Sequence, residues 1–396
     1  VVCPPTIAGL NSQISLASKK TQFQRLQNRT TKTAPVKVLR LPVNKDSLLF
    51  NTEGVTPVVW QSKASSWAGG AICTGPSTSQ WFVGGAADIT TKGRLIIVNS
   101  GLSDAIVDVQ SFTENGKQPV RTITVVSKNY IVIPTDSLAP GDKYLTVHVA
   151  PRSGRVNAFM IDEQSKGLRS LGGDLVNSAS TPTKSLLIPA IPNQIIKNTK
   201  TLPHTLRVLS PGDVDASVTA EVLSADGVFV PVGLTSRTVN AGIVTEFQFT
   251  PKITSTVLAI RITSTEPVVA AIKSTVTVSG RKDFVWSTSA PELVPLTIAI
   301  SGLTPLVSFA GDQINVSLDV TMNNGKVIRK TIKGTDIATW RAPDAARSFT
   351  ITKVGPDTFA GALVSSVNGY GYFPIAPGSL LTKIELPDSN IRVLNP

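Results

Sequence analysis

Leu95-Ile-Ile-Val-Asn-Ser-Gly-Leu-Ser-Asp-Ala-Ile-Val-Asp-Val109 is answered farther along the chain by Leu206-Arg-Val-Leu-Ser-Pro-Gly-Asp-Val-Asp-Ala-Ser-Val-Thr-Ala220. At a constant offset of 111, Leu95, Gly101, Asp104, Ala105, Val107 and Gly116 fall on Leu206, Gly212, Asp215, Ala216, Val218 and Gly227. Self-similarity at a fixed period is the mark of a repeat architecture. The match continues at offset 113, where Leu145-Thr-Val-His-Val-Ala resembles Leu258-Ala-Ile-Arg-Ile-Thr and Val156-Asn-Ala158 resembles Val269-Ala-Ala271. A weaker copy starts at Leu306-Val-Ser-Phe-Ala-Gly311, turns at Asn323-Asn-Gly325 and ends at Phe359-Ala-Gly-Ala362.

Within each copy the pattern is that of strands. Val107 and Val109, like Val218, Ala220 and Val222, alternate with polar or small residues, as one buried sheet face requires. Asn115-Gly116, Asp226-Gly227 and Asn324-Gly325 supply tight-hairpin chemistry. Helical periodicity is almost absent, so the expected fold is all-β: tandem immunoglobulin-like antiparallel β-sandwich units. A β-propeller would have blades about half this repeat length. The units are drawn at 1–92, a degenerate copy carrying a basic arm, and at 93–188, 189–297 and 298–396. A shared aromatic strand is expected at their ends: Trp81-Phe-Val, Leu175-Val-Asn, Phe284-Val-Trp and Tyr372-Phe-Pro. Pro-containing connectors at 178–183, 188–193 and 290–295 would hold the units as a semi-rigid row.

At 396 residues and 41% apolar content, the chain is long enough for several cores and too apolar for disorder. Leu293 to Ala310 is uncharged over 18 residues, but Pro295, Gly302 and Pro305 read as two strands around a turn, not a transmembrane segment. No basic, then apolar, leader pattern opens the sequence. Net charge is +12, and residues 1–45 hold Lys19, Lys20, Arg25, Arg29, Lys32, Lys37, Arg40 and Lys45 with no acid. Such an arm can attract a polyanion or be a solvated face. Its only aromatic residue is Phe23, and no helix-turn-helix or zinc module is present, so nucleic acid is disfavoured as a partner.

Catalytic patterns are lacking. His148 is expected on a strand facing away from Val147 and Val149, at the surface, and His204 at a unit entrance. No nucleophile elbow or phosphate loop occurs. Asp213, Asp215 and Asp226 read as turn caps before they read as a calcium or glycosidase set. Gly69-Gly70 and Gly84-Gly85 read as tight turns or close backbone packing beside Trp67, Trp81 and Phe82. Trp67 and Trp81 could also form a carbohydrate-stacking platform, with core packing the competing reading. Cys3 and Cys73 are the two cysteines; with two histidines in all, no metal set and no cofactor is expected. By themselves they are compatible with two buried free thiols.

The Cys3-Pro-Pro start, Cys73-Thr-Gly-Pro with Gln80-Trp-Phe-Val-Gly-Gly85, the Leu-x-x-Val-Asn-x-Gly…Asp-Ala opening and Asp283-Phe-Val-Trp-Ser287 together resemble an actinobacterial family of secreted or membrane-anchored proteins of unknown function. The resemblance implies a secreted or cell-surface location and a Cys3–Cys73 bridge. It implies no activity. The resulting expectation is a non-enzymatic envelope protein presenting surfaces to a protein or an acidic wall polymer, with a carbohydrate-binding or carbohydrate-processing accessory protein as the alternative.

Overall fold

The computed structural model describes residues 1–379 except Lys19, Arg29, Val36, Thr52, Glu53, Ser65 and 197–199. Apart from one 3-10 turn at Thr135–Ser137, every regular element among these residues is a strand. Ladders are antiparallel except where Leu296–Ala299 runs parallel to Val55–Lys63.

Four stretches of chain share one pairing scheme, each with two sheets. Where the 95 and 206 stretches fall, one sheet of the first runs Gln80–Val83, Thr146–Ser153, Ala105–Thr113, Gly116–Lys117. Its counterpart places Thr183–Pro192 beside Val257–Val278, then Ala216–Ser224 and Gly227–Phe229. The other sheet is Asn129–Pro134, Arg94–Asn99, Asn157–Lys166, Arg169–Val176 in one, and Thr245–Phe249, His204–Leu209, Val257–Val278, Arg281–Thr288 in the next. The long strand Val257–Val278 thus serves both sheets, where the earlier stretch has a break at Gly154.

The same orders recur at both ends of the chain. Val2–Cys3, Leu48–Leu49, Gln22–Arg25, Lys32–Thr33 and then Arg40–Val43, Asn11–Ser15, Val55–Lys63, Trp67–Ile72 form the first segment. In the fourth, Leu296–Ala299, Ala346–Lys353, Leu306–Met322 and Val327–Arg341 form one sheet; the second pairs those long strands again with Phe359–Ser365 and Tyr370–Pro374. The uncharged stretch at 293–310 is two strands around a turn at Ile300–Leu303.

Leu175, Phe284 and Tyr372 lie on strands that close their segments, but Trp81-Phe-Val does not. The first segment closes with Trp67–Ile72, and Gln80–Val83 opens the second by pairing with Thr146–Ser153. Aromatic content alone does not distinguish an opening strand from a closing one.

The segments are not strung in a row. Each sheet that holds a closing strand buries one face in its own core and the other in the preceding segment's core. Leu95 and Ile97 join the second core while Ile96 and Val98 join the first. Val59, Trp67 and Ala71 face the first core, whereas Val58, Trp60, Ala68 and Ile72 pack into the fourth. Phe284 and Trp286 enter the second core from the third segment, and Leu363 and Tyr372 of the fourth meet Ala190 and Val257 of the third. Four head-to-tail contacts of this kind close a ring.

The closing strands pack against one another around its centre, and glycine permits the approach. A Cβ at Gly371 would fall 2.6 Å from the Gly70 nitrogen, and one at Gly69 would fall 2.6 Å from the Leu175 nitrogen. Side chains stitch the same seam. Asp174 Oδ2 accepts from the Trp286 nitrogen (2.7 Å), Asp283 Oδ1 accepts from the Gly173 nitrogen (3.0 Å), and Asn177 Nδ2 donates to the carbonyls of Gly70 and Tyr372 (2.9 Å each).

Candidate polyanion-binding cleft

Cys3 and Cys73 form a buried disulfide with Cα atoms 4.5 Å apart. It ties the opening strand of the first segment to the residue that follows its closing strand, and Val2 and Thr74 bridge beside it. Beyond Thr74, the Gly75 nitrogen donates to the Gly378 carbonyl and the Gly378 nitrogen to Thr56 Oγ1, so the fourth segment's end is fastened to the first.

A cleft of about 1040 Å³ opens on the first segment. Its walls are the 6–13 turn, the end of Arg40–Val43 with 44–46, Arg25, Trp60 and Ser62; Ser366 and Asn368 come from a hairpin of the fourth segment. Three basic residues from separate stretches meet here: Arg25 at the end of one strand, Arg40 at the start of another, and Lys45 in the following turn. None pairs with a carboxylate among the described residues. Asp46 is the one acid in the wall; its Oδ2 accepts from the Gln27 nitrogen, and its Oδ1 is buried without a partner.

Arg40 owes its position to the first and fourth segments together. Its aliphatic stem lies where a Cβ on Gly302 would be, 2.5 Å from the Arg40 Cδ, and Gly302 has φ +70°. Ser301 holds that turn in place: its Oγ donates to the Leu16 carbonyl (2.6 Å), and its own carbonyl accepts from Ser15 Oγ (2.9 Å). Nε and Nη2 of Arg40 are closed off without acceptors, and burial pulls the guanidinium pKa down. An unneutralised, partly desolvated cation of this kind favours an anionic neighbour.

Of the basic arm, therefore, Arg25 and Arg40 share the cleft. Lys20 lines a separate, smaller pocket of about 260 Å³ with Ser18 and Asn51, and Lys32 and Lys37 are exposed elsewhere. Lys19 and Arg29 lie outside the described residues. Sequence reasoning missed Trp60, Asp46 and the Ser366–Asn368 wall, which sits far from the arm in the chain.

Trp67 is fully buried against Gly173 and Trp81 is 6% exposed, so neither offers a face to a sugar. Trp67 lies where two segments meet, and the outer face of Trp81 is taken by His148, whose ring stacks on it at 4.0 Å and 9°. His148 does face away from the buried Val147 and Val149, but this stacking leaves it half-buried instead of at the surface. Burial lowers its pKa, and its Nε2 lies 2.9 Å from Ser79 Oγ. No carboxylate orients this Ser–His pair among the described residues, so the triad geometry is incomplete. His204 is buried between Ser274 Oγ (2.9 Å) and Asn193 Oδ1 (3.3 Å), and desolvation pulls its pKa down to about 4.

The aspartates act on turns. Asp104 Oδ1 accepts from the Ser127 nitrogen and its offset partner Asp215 from the Ala241 nitrogen. Asp226 accepts from Thr254 and Ser255, whose hydroxyls and amides hold its pKa down to about 2. Among the described residues no three His, Cys, Asp or Glu side chains group as a metal site, and no helix is long and apolar enough to cross a membrane.

Fold and cleft together define an all-β protein of antiparallel sandwich sheets with a basic cleft on its first segment. Residues 59–333 match the model of a family of unknown function (DUF5719), and the chain belongs to that family. No curated protein and no solved structure matches it.

Proposed function

We propose that this is a non-enzymatic interaction protein of the actinobacterial cell envelope, secreted or surface-held, that holds an acidic polymer in the cleft of its first segment. Its four segments are read as tandem copies of one immunoglobulin-like sandwich closed into a ring. The carrying observation is the meeting of Arg25, Arg40 and Lys45 in one cleft of about 1040 Å³ with no carboxylate partner for any of them among the described residues. The buried Cys3–Cys73 bridge supports an oxidising compartment.

Binding that neutralises three charges depends on salt, so affinity for a soluble polyuronate should drop roughly tenfold or more between 50 and 200 mM salt. The Arg25→Gln/Arg40→Gln variant, checked for an unchanged melting temperature, should lose most of that binding and most of the salt dependence. Equal binding by the variant would overturn the assignment of the cleft.

A further inference from the structure

We propose that the cleft is one half of a longer track, and that a single linear anionic polysaccharide crosses the 365–370 hairpin of the fourth segment into a second cleft beyond it. This rests on the reading of the first cleft as an anion site.

The second cleft, of about 680 Å³, lies between the third segment at 192–195, Thr254 and Thr256 and the fourth at Leu306, Arg341, Leu363, Ser365 and Tyr370. One hairpin separates the two. Ser366 and Asn368 line the first cleft, while Ser365 and Tyr370, paired in register, line the second. The divider is held in shape: Ser366 Oγ accepts from the nitrogens of Asn368 and Gly369 (3.2 Å each), and Arg281 Nη2 donates to the Val367 carbonyl (3.2 Å). A ligand leaving one cleft therefore has a single fixed turn to cross.

The charge continues across it. Arg281 at the divider, whose charge acts on the buried Asp283 carboxyl, and Arg341 in the second cleft form no salt bridge among the described residues, and no acid lines that cleft. With Arg25, Arg40 and Lys45 they form a cationic path over the first, third and fourth segments. Between the cations stand neutral donors and acceptors. The side-chain amides of Asn11, Gln13 and Asn368 and the hydroxyls of Thr256, Ser365 and Tyr370 make no hydrogen bond among the described residues. Spaced cations among free amides and hydroxyls match a chain of sugars bearing anionic groups. Single-stranded nucleic acid would call for a series of exposed aromatic platforms, whereas Trp60 in the first cleft is 7% exposed and Tyr370, half-buried, is the one aromatic lining the second.

The test measures affinity for labelled polygalacturonate in two length classes: fragments short enough for the first cleft alone, and chains several times longer. The intact chain should bind the long class at least about tenfold more tightly, since a second tethered contact raises the effective concentration. Arg341→Gln, which leaves the Arg281 contact to the divider intact, should remove most of that advantage, leave short-fragment binding within about twofold, and lower the salt slope for long chains by about 0.7. Short fragments that bind as well as long ones, or long-chain binding unchanged in the variant, would overturn the track while leaving the first cleft standing. No binding of either class would overturn both. Equal competition by an oligothymidylate of the same charge would overturn the polysaccharide assignment.

Discussion

The strands Arg94–Asn99 and Ala105–Thr113 belong to one segment and differ in what they face. In the first, Leu95, Ile96, Ile97 and Val98 are all fully buried, with alternate residues serving two different cores. In the second, Val107 and Val109 are buried while Ile106 is 41% exposed and Asp108 binds Arg152 at the surface. Sheets with closing strands are therefore walls shared by neighbours, and the other sheets are outer surfaces. A continuous apolar run and an alternating one carry that difference in sequence.

The comparison breaks most readily at the ring's centre. Gly371→Val would place side-chain atoms onto the Gly70 backbone and Trp60, which cannot yield, and should cost about 3 kcal/mol or more or prevent folding. Trp286→Ala, which empties a shared core without a clash, should cost about 3–5 kcal/mol. On the outer sheet, Ile106→Thr should change stability by no more than about 0.5 kcal/mol. Chemical denaturation of the three variants measures the contrast, and similar costs at both places would remove it.

A smaller effect of definite sign comes from Asp283. Desolvation pushes its pKa up to about 7, because Oδ2 has no partner and the Gly173 and Phe284 amides on Oδ1 compensate only in part. The folded state thus keeps a proton that the unfolded chain releases near pH 4. This contribution to stability is full below that pH and is lost as pH rises toward 7. Asp283→Asn should therefore be more stable than the parent at pH 8, by on the order of 3 kcal/mol, with the gap closing toward pH 4. Asp174, whose carboxyl is raised by burial and also by the Asp283 charge, ionises more easily once that charge is gone, which adds to the variant's advantage at pH 8. A gap that widened on acidification would contradict the assignment.

Much of a segment's interior was legible. Asn115-Gly116 and Asp226-Gly227 do turn hairpins, with φ of +106° and +121° at their glycines, and Asp104 and Asp215 do cap equivalent loops. These features depend on neighbours along the chain and leave a local trace. Ring closure leaves none, because Leu296–Ala299 meets Val55–Lys63 across most of the sequence and nothing in either strand names its partner. The cleft was half legible for the same reason. The basic residues of the arm stood out, but which of them converge depends on Gly302 and on the hairpin at 366–368. The burial of Trp67 and Trp81 likewise comes from partners the local sequence does not contain.

Ring closure is the central claim, because it builds the shared walls and brings the fourth segment's hairpin to the first segment's cleft. Small-angle X-ray scattering on the monomer tests it most directly. A compact ring of 396 residues should give a radius of gyration of about 21–23 Å. A value of roughly twice that, as four sandwiches strung in a row would give, would contradict the account.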